Sequence, residues 1–302
     1  MNMKDKAACV VVHGGAGAGR ELDDGCMSAA SAAKDELSKG RGAFEAAIAA
    51  VVVMEDDGRF NAGCGAALGL DGSTVETDAS VMDTRGRLGA VSCLRGAKNP
   101  VLVARDVTHT PHCLLSGEGA ERFARAMGHE YFREINEKVR REHRAMLDKL
   151  ASEQPAMPGV DNARFARYWN YPCGRTFKTS TCDTVGAVVR DADGHFAVAG
   201  STGGSAPSLL GRVGDTPMVG CGFYAGPAGA VAATGVGEYI IRTMLASTVY
   251  QWIASGMPLD AALRRGVELI PAEVDIGLIA VSGAEAGAFS NAAMPHAVAH
   301  HE

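Results

Sequence analysis

Two hydrophobic periods divide the chain. Residues 9–13 form a short, β-branched apolar run that ends at His13 and enters Gly14, Gly15, Gly17 and Gly19. That pattern predicts a buried strand feeding a glycine loop. Residues 27–37 and 43–54 predict two alanine-rich helices, parted by Gly40-Arg41-Gly42. The second is apolar on almost every side, so it should be buried on most faces. Residues 61–70 read as a strand meeting a hairpin turn at Asp71-Gly72. Residues 73–82 answer it with alternating Val75, Thr77, Ala79 and Val81. A strand over 88–94 follows, then a helix opened by Asn99-Pro100 and another from Ser116 to near Gly128.

Residues 131–150 are highly charged, with Glu134 and Lys138, and Glu137 and Arg141, four apart. They predict a solvated helix carrying surface pairs. Residues 151–182 contain Pro155, Pro158, Gly159, Pro172 and Gly174 and keep neither period; so long an irregular stretch is expected to be functional or mobile. Regularity returns with a hairpin, 184–190 and 195–201, around an Asp191-to-Gly194 turn. Then come a long helix over 238–255, with Ile241, Leu245, Val249 and Trp252 on one stripe, a helix over 258–270, and a closing hairpin of 276–281 and 287–290. Two β-rich stretches, each flanked by helices, predict an α+β fold of four layers, sheet packed on sheet with helices outside.

A chain of 302 residues allows one large domain or two modest ones. Hydrophobic residues at 47% and charged residues at 21% exclude disorder and coiled coil. A net charge of −6 without a basic block argues against nucleic acid as partner. The 38 glycines follow no three-residue period, which excludes a collagen-like chain. Eight cysteines are scattered without a Cys-x-x-Cys pair, so neither a zinc site nor a disulfide framework is expected. Positions 1–8 carry two lysines but lead into no apolar stretch of signal length. No 18-residue apolar run lacks charge and glycine. The expected location is the cytoplasm, with no membrane partner.

Three places carry candidate chemistry. The loop after His13 lacks the spacing of a dinucleotide fingerprint, and no Gly-Lys-Ser/Thr follows, so close backbone packing is the better reading. Asn61 stands beside Gly63 and Gly65, opposite Glu76 and Asp78, which should share a strand face, either at a site or as a solvated edge pair. The third place is the strongest. Thr184 opens a strand directly after the irregular stretch. Downstream lie Thr202 before Gly203-Gly204, Arg212 and Asp215 within residues 211–215, and Thr234-Gly235 before Gly237-Glu238. Arginine binds a carboxylate with a two-pronged fork and aspartate binds an ammonium, so the pair three residues apart suits an α-amino-acid head group. Thr234-Gly235, read as a helix start, offers donors to an oxyanion. A threonine at a chain N-terminus can use its own amine as base, with a pKa of about 7.7–8.0.

These motifs resemble the plant-type L-asparaginase and isoaspartyl peptidase family of N-terminal-nucleophile (Ntn) hydrolases. The likeness runs through His13-Gly14-Gly15-Ala16-Gly17 and residues 60–65, 78–83, 95–104, 115–121, 183–188, 201–204, 211–215 and 234–238, in that order. It implies a single αββα sandwich over residues 1–302. The precursor would cut itself at Asp183–Thr184 into an α subunit, 1–183, and a β subunit, 184–302. Matched motif by motif, Thr184 is the nucleophile, Thr202 supports it, and Asn61 stands beside it. Arg212 holds the substrate α-carboxylate and Asp215 its α-amine, while Thr234 and Gly235 form the oxyanion hole. The resemblance implies no catalytic cofactor. It does imply a structural sodium on backbone carbonyls of Met54, Glu55, Asp57, Phe60, Ala62 and Cys64, and a homodimer of αβ units.

Two departures stand out. Val236 takes the place of a polar residue found in many members, which removes a hydrogen bond at one end of the ligand. The cleavage site reads Asp-Thr where many isoaspartyl peptidases read Gly-Thr. The implied activity is hydrolysis of β-aspartyl dipeptides and, less efficiently, L-asparagine. A glycosylasparaginase of the same fold and a catalytically silent amino-acid-binding protein are the alternatives. The intact set of Thr184, Thr202, Arg212, Asp215 and Thr234 opposes the silent reading. The C-terminal His300-His301 reads as a solvated tail.

Overall fold

Two sheets, one antiparallel and one antiparallel but for a single strand pair, stack face to face, and their strand alternation decides what lies between them. The computed structural model describes residues 7–132, 134–150, 167–172 and 184–301. In chain order the described elements are β1 (Ala8–His13), α1 (Asp23–Ser38), α2 (Ala43–Asp57), β2 (Thr77–Asp83), β3 (Leu88–Leu94), α3 (Pro100–Val107), β4 (Leu114–Ser116), α4 (Gly117–Ala126) and α5 (Glu137–Leu150). After the proposed cleavage point come β5 (Thr184–Arg190), β6 (Phe196–Thr202), β7 (Phe223–Gly226), β8 (Gly229–Gly235), α6 (Gly237–Thr243), α7 (Leu245–Ala254), α8 (Leu259–Glu268), β9 (Ile276–Ser282), β10 (Ala286–Ser290) and β11 (His296–His301). The larger sheet has the order β11-β1-β5-β6-β2-β3-β4, the smaller β10-β9-β8-β7. Among the described strands only the β3–β4 pair is parallel.

Period-two alternation builds the layers. Val10, Val12, Val185, Ala187, Ala197, Ala199, Ala79 and Val81 face α1 to α4 in one core. Their neighbours Val11, Val188, Phe196 and Val198 face Phe223, Ala230, Ala232, Ile279 and Val281 of the smaller sheet. Val231, Ala233, Leu278 and Ala280 turn outward onto Ile240, Leu245, Val249 and Leu263 of the last three helices. The architecture is therefore the expected four-layer α+β sandwich.

Several local expectations fail. Residues 61–70 form no strand. The Asp71-Gly72 turn exists, closed by Gly69 N–H to Thr74 O at 2.8 Å, but Asn61 Oδ1 takes the Ala67 amide and Gly63 has φ +50°. The segment coils into a loop, and the strand begins only at Thr77. The helix predicted over 238–255 breaks at Met244, whose φ is 45°. The amides of Ala246 and Ser247 go to Cys221 O and Gly220 O, so α7 starts afresh on a neighbouring loop. The charged helix starts at Glu137 rather than Tyr131. It buries Val139 and Met146 and pairs Lys138 with Glu142 at 3.1 Å, a different pair from those the spacing suggested.

Four further strands, β4, β7, β8 and β11, lie outside the expected ones, and Thr234 sits at the end of β8 rather than at a helix start. The C-terminal histidines form an edge strand rather than a free tail, with His300 still exposed: β11 runs antiparallel to β1, with His300 opposite Cys9 and His301 opposite Ala8, covering what would otherwise be an open apolar edge. Asp78 and Glu76 are not a solvated edge pair either. Asp78 is buried within β2, and Glu76 binds Arg95 and the Gly211 amide.

Candidate active site

Toward one end of the space between the sheets, the side chains change from apolar to small and polar. On β5 the inward positions run Val188, Gly186, Thr184; on β6 Val198, Gly200, Thr202; on β2 Met82, Ser80, Asp78. Register sets Thr184 opposite Thr202 and Thr202 opposite Asp78. Three polar residues are thus lined up across three strands. Gly186 makes room for the fully buried His13: a methyl group there would lie 2.4 Å from His13 Nε2. Neither ring nitrogen of His13 has a hydrogen-bond partner among the described residues, and burial holds its pKa down at about 3, so the ring is neutral. The ring lines a small cavity together with Ser80, Thr184 and Thr216.

The Thr184 hydroxyl donates to Thr202 Oγ1 over 3.2 Å. Thr202 Oγ1 also accepts the Gly204 amide at 3.0 Å. Asn61 supports the same turn: its Nδ2 donates to Gly204 O at 2.8 Å, and its carbonyl accepts Gly203 N–H at 2.9 Å. One small cleft is lined by Thr184, Thr202, Gly204, Ser205, Arg212, Gly214, Asp215, Thr216 and Gly235. The structure therefore brings together Thr184, Thr202, Arg212, Asp215 and Gly235. Thr234 lies next to the cleft without lining it; its Oγ1 accepts the Ala16 amide at 3.3 Å. Asp183 lies outside the described residues.

Arg212 and Asp215 differ sharply in setting. The Arg212 guanidinium makes a two-pronged contact with Glu238, Nε–Oε1 3.0 Å and Nη2–Oε2 2.9 Å. Burial pushes the Glu238 carboxyl up, but the hydrogen bonds and charge of Arg212 outweigh it and hold the group ionised below its ordinary range. Asp215 is buried, and its Oδ2 has no hydrogen-bond partner among the described residues. Burial raises its pKa to about 7 against the pull of Arg212. A carboxylate so placed gains most when a cation arrives. Glycines on either side allow this closeness: a methyl at Gly237 would lie 2.8 Å from both Asp215 Oδ1 and Arg212 Nη2. Asp78, raised to about 6 by burial, accepts the amides of Cys93 and Gly214 and so ties β2 to the Arg212–Asp215 turn.

A sequence profile of the family described as Asparaginase matches residues 6–302. The chain belongs to that asparaginase family. An isoaspartyl peptidase/L-asparaginase of Macaca fascicularis is 39% identical over 306 positions, spanning 96% of this chain and 92% of its own length. The protein of the same description from Homo sapiens is 38% identical, with 96% and 92% covered. A plant-type L-asparaginase of Pyrococcus abyssi is 38% identical over 274 positions, covering 86% and 84%.

The asparaginase-family motif 234–238 contains a site residue that sequence reasoning did not single out. Glu238 closes the motif and grips Arg212. Its signal was an acid in the first turn of a helix that begins beside the site. Asp78 was noticed without a role, because its partner amides come from residues 93 and 214, far away in sequence.

The carbonyl loop lies on the other side of Asn61. Met54, Glu55 and Asp57 belong to the last turn of α2. Carbonyls crowd the following turn: a methyl at Gly65 would stand 2.0 Å from Phe60 O and 2.7 Å from Gly58 O, and one at Gly63 2.7 Å from Glu55 O. Asn136 Nδ2 donates to Gly58 O and Cys64 O, and the Asp57 carboxylate is engaged with Arg59 at 2.7 Å. The donor set is thus mainly backbone oxygen, which suits a hard monovalent cation. A cavity of about 500 Å³ next to this loop is larger than the Thr184 cleft, but neither Thr184, Thr202, Arg212 nor Asp215 lines it.

Proposed function

We propose that this chain is a threonine-dependent amidohydrolase of β-aspartyl bonds, acting on isoaspartyl dipeptides and L-asparagine after cutting itself between Asp183 and Thr184. The observation that carries the reading is the Thr184–Thr202 hydroxyl pair at 3.2 Å, opening into a cleft that also holds Arg212 and Asp215. The names of the relatives support the substrate class.

In maturation, Thr184 Oγ attacks the carbonyl carbon of residue 183. The C–N bond breaks, the hydroxyl proton passes to nitrogen, and water hydrolyses the ester. The products are a carboxylate at 183 and a free amine on Thr184. In turnover, that amine takes the hydroxyl proton and Oγ attacks the side-chain carbonyl of the substrate. Thr234 and Gly235 steady the oxyanion, and the leaving ammonia or amino acid takes the proton. Water then attacks the acyl-enzyme and frees aspartate. Arg212 and Asp215 hold the α-carboxylate and α-amine, charges that do not change during the reaction.

A sodium ion on the 54–64 loop would pin the turn that carries Asn61; the carbonyls of Met54, Glu55, Asp57, Phe60, Ala62 and Cys64 are the candidate ligands. Thermal unfolding in sodium against choline chloride tests it. The assembly proposed is a homodimer of αβ units, and the compartment the cytoplasm. In support of the latter, the six cysteines among the described residues are unpaired.

Aged pure protein should give two fragments of roughly 19 and 12 kDa, in proportion to length, the smaller beginning Thr-Val-Gly-Ala. An assay on β-aspartyl dipeptide, asparagine and glycosylasparagine then ranks the substrates. A chain that stays whole and still turns over substrate removes the N-terminal-nucleophile mechanism.

A further inference from the structure

The irregular stretch 151–182 was expected to be functional or mobile. Its described part, residues 167–172, is anchored. Asn170 and Leu210 exchange two hydrogen bonds, Nδ2 to Leu210 O at 2.9 Å and Leu210 N–H to Oδ1 at 3.0 Å. The Tyr171 hydroxyl donates to Ser208 O at 3.0 Å. Its ring is buried with Leu70, Met146 and Ala206, and Trp169 packs alongside. A methyl at Gly69 would lie 2.7 Å from the Tyr171 oxygen, so that neighbour is shaped around the phenol.

The turn that these two residues hold carries Arg212. Arg212 N–H bonds Leu209 O, while Gly211 N–H reaches Glu76. The turn is thus held by Asn170, Tyr171 and Glu76 just before the guanidinium. Tyr171 also lines a cleft with Glu76, Asp78, Gly204, Ser205, Ser208 and Arg212. Gly204, Ser205 and Arg212 are shared with the Thr184 cleft.

We infer that Asn170 and Tyr171 are positioning residues for Arg212, so that the tail of the α subunit is a working part of the substrate site after self-cleavage. The inference rests on the proposed function, because the α-carboxylate role of Arg212 and the division at 183–184 come from it. Residues 170 and 171 precede that bond, whereas 208–212 follow it. The clasp is then a contact between subunits, and it persists when the chain is cut.

The test uses full-length, self-cleaved protein carrying Asn170→Ala or Tyr171→Phe. Losing hydrogen bonds worth about 0.5–1.5 kcal/mol each predicts a KM for β-aspartyl dipeptide raised about three- to tenfold, with kcat changed less than about twofold. In an Arg212→Lys background the same substitutions should add no further rise in KM. A merely structural role would lower kcat as well as raise KM, and would do so equally in both backgrounds. Unchanged KM, or a rise of the same size in both backgrounds, overturns the inference. If the wild type splits neither dipeptide nor asparagine, the functional reading fails instead. Hydrogen exchange then decides the clasp: amides 208–212 must exchange faster in Asn170→Ala, and equal rates overturn it.

Discussion

Thr184 and Thr202 face each other across β5 and β6, and the hydroxyl of the first donates to that of the second. Because Thr202 Oγ1 also receives the Gly204 amide, the strand pairing and the turn after β6 together fix where the Thr184 proton points. Thr202→Val keeps the volume and removes the acceptor. Self-cleavage and turnover should each slow about tenfold, the worth of one hydrogen bond of ~1–1.5 kcal/mol. Thr202→Ser should restore both. A gel time course and a dipeptide assay read them separately, and wild-type rates in Thr202→Val would remove this hydroxyl from the mechanism.

Arg212→Lys keeps the charge and loses the fork that grips Glu238 and, on our reading, the substrate carboxylate. We expect kcat/KM to fall roughly 10- to 150-fold, from bonds to charged groups worth about 1.5–3 kcal/mol. Maturation should be spared, since the precursor offers no free α-carboxylate there. Two subunits on a gel with poor turnover is the expected pattern. Full turnover of dipeptide by Arg212→Lys would show that the pocket is oriented otherwise.

Asp215 gives a pH signature. Its buried carboxyl titrates at about 7 in the folded protein, against about 3.9 in an unfolded chain. Between these values the unfolded state has lost the proton that the folded state keeps. Its contribution to stability is therefore complete below about pH 4, falls as pH rises to about 7, and is flat above. Asp215→Asn should remove that slope and stabilise the free protein at pH 8 by about 1–3 kcal/mol, at the cost of turnover. Urea unfolding across pH 4–8 checks it; parallel curves for the two proteins contradict it. Binding of an ammonium group should also release a proton from Asp215 near pH 6–7, so KM should rise as pH falls through that range.

Gly203 tests the backbone under the site. A methyl there would meet Asn61 Oδ1 at 2.4 Å and the Ala67 amide at 2.5 Å, and neither can retreat without breaking its own hydrogen bond to the other. Gly203→Ala should cost about 1–3 kcal/mol, lowering Tm by about 3–10 °C, and should impair maturation. Gly119→Ala is the control, because nothing lies within 4 Å of its added methyl. Equal melting of both variants would mean that the Asn61 turn yields easily.

Much of the fold could be read from one dimension. The strands at Cys9, Leu88, Thr184 and Ile276 and the helices at Ala43 and Pro100 were visible because their periods are set by neighbours one to four residues away. Thr184 stood out because it opens a strand directly after the irregular stretch, and Arg212 and Asp215 because glycines 211 and 214 set them on backbone that must approach a ligand or another chain segment closely. Failures occurred where a distant group competed for a local one. Asn61 drew the Ala67 amide away from a strand, Cys221 and Gly220 took the amides that would have continued the helix through Met244, and β1 drew the C-terminal histidines into a sheet.

By itself, then, the sequence determined the family and the four-layer class, and it pointed to the candidate site residues, because periodicity and motif order are local properties of the chain. Only the tertiary structure decided how those residues meet. It put Thr202 across from Thr184, Glu238 on Arg212, Asp215 in a buried place that raises its pKa, and Asn170 and Tyr171 against the Arg212 turn. Each of these depends on strand register and on burial made by residues tens to more than a hundred positions apart. The free energy of such contacts exists only once the intervening chain has folded back on itself, so no window along the sequence contains it.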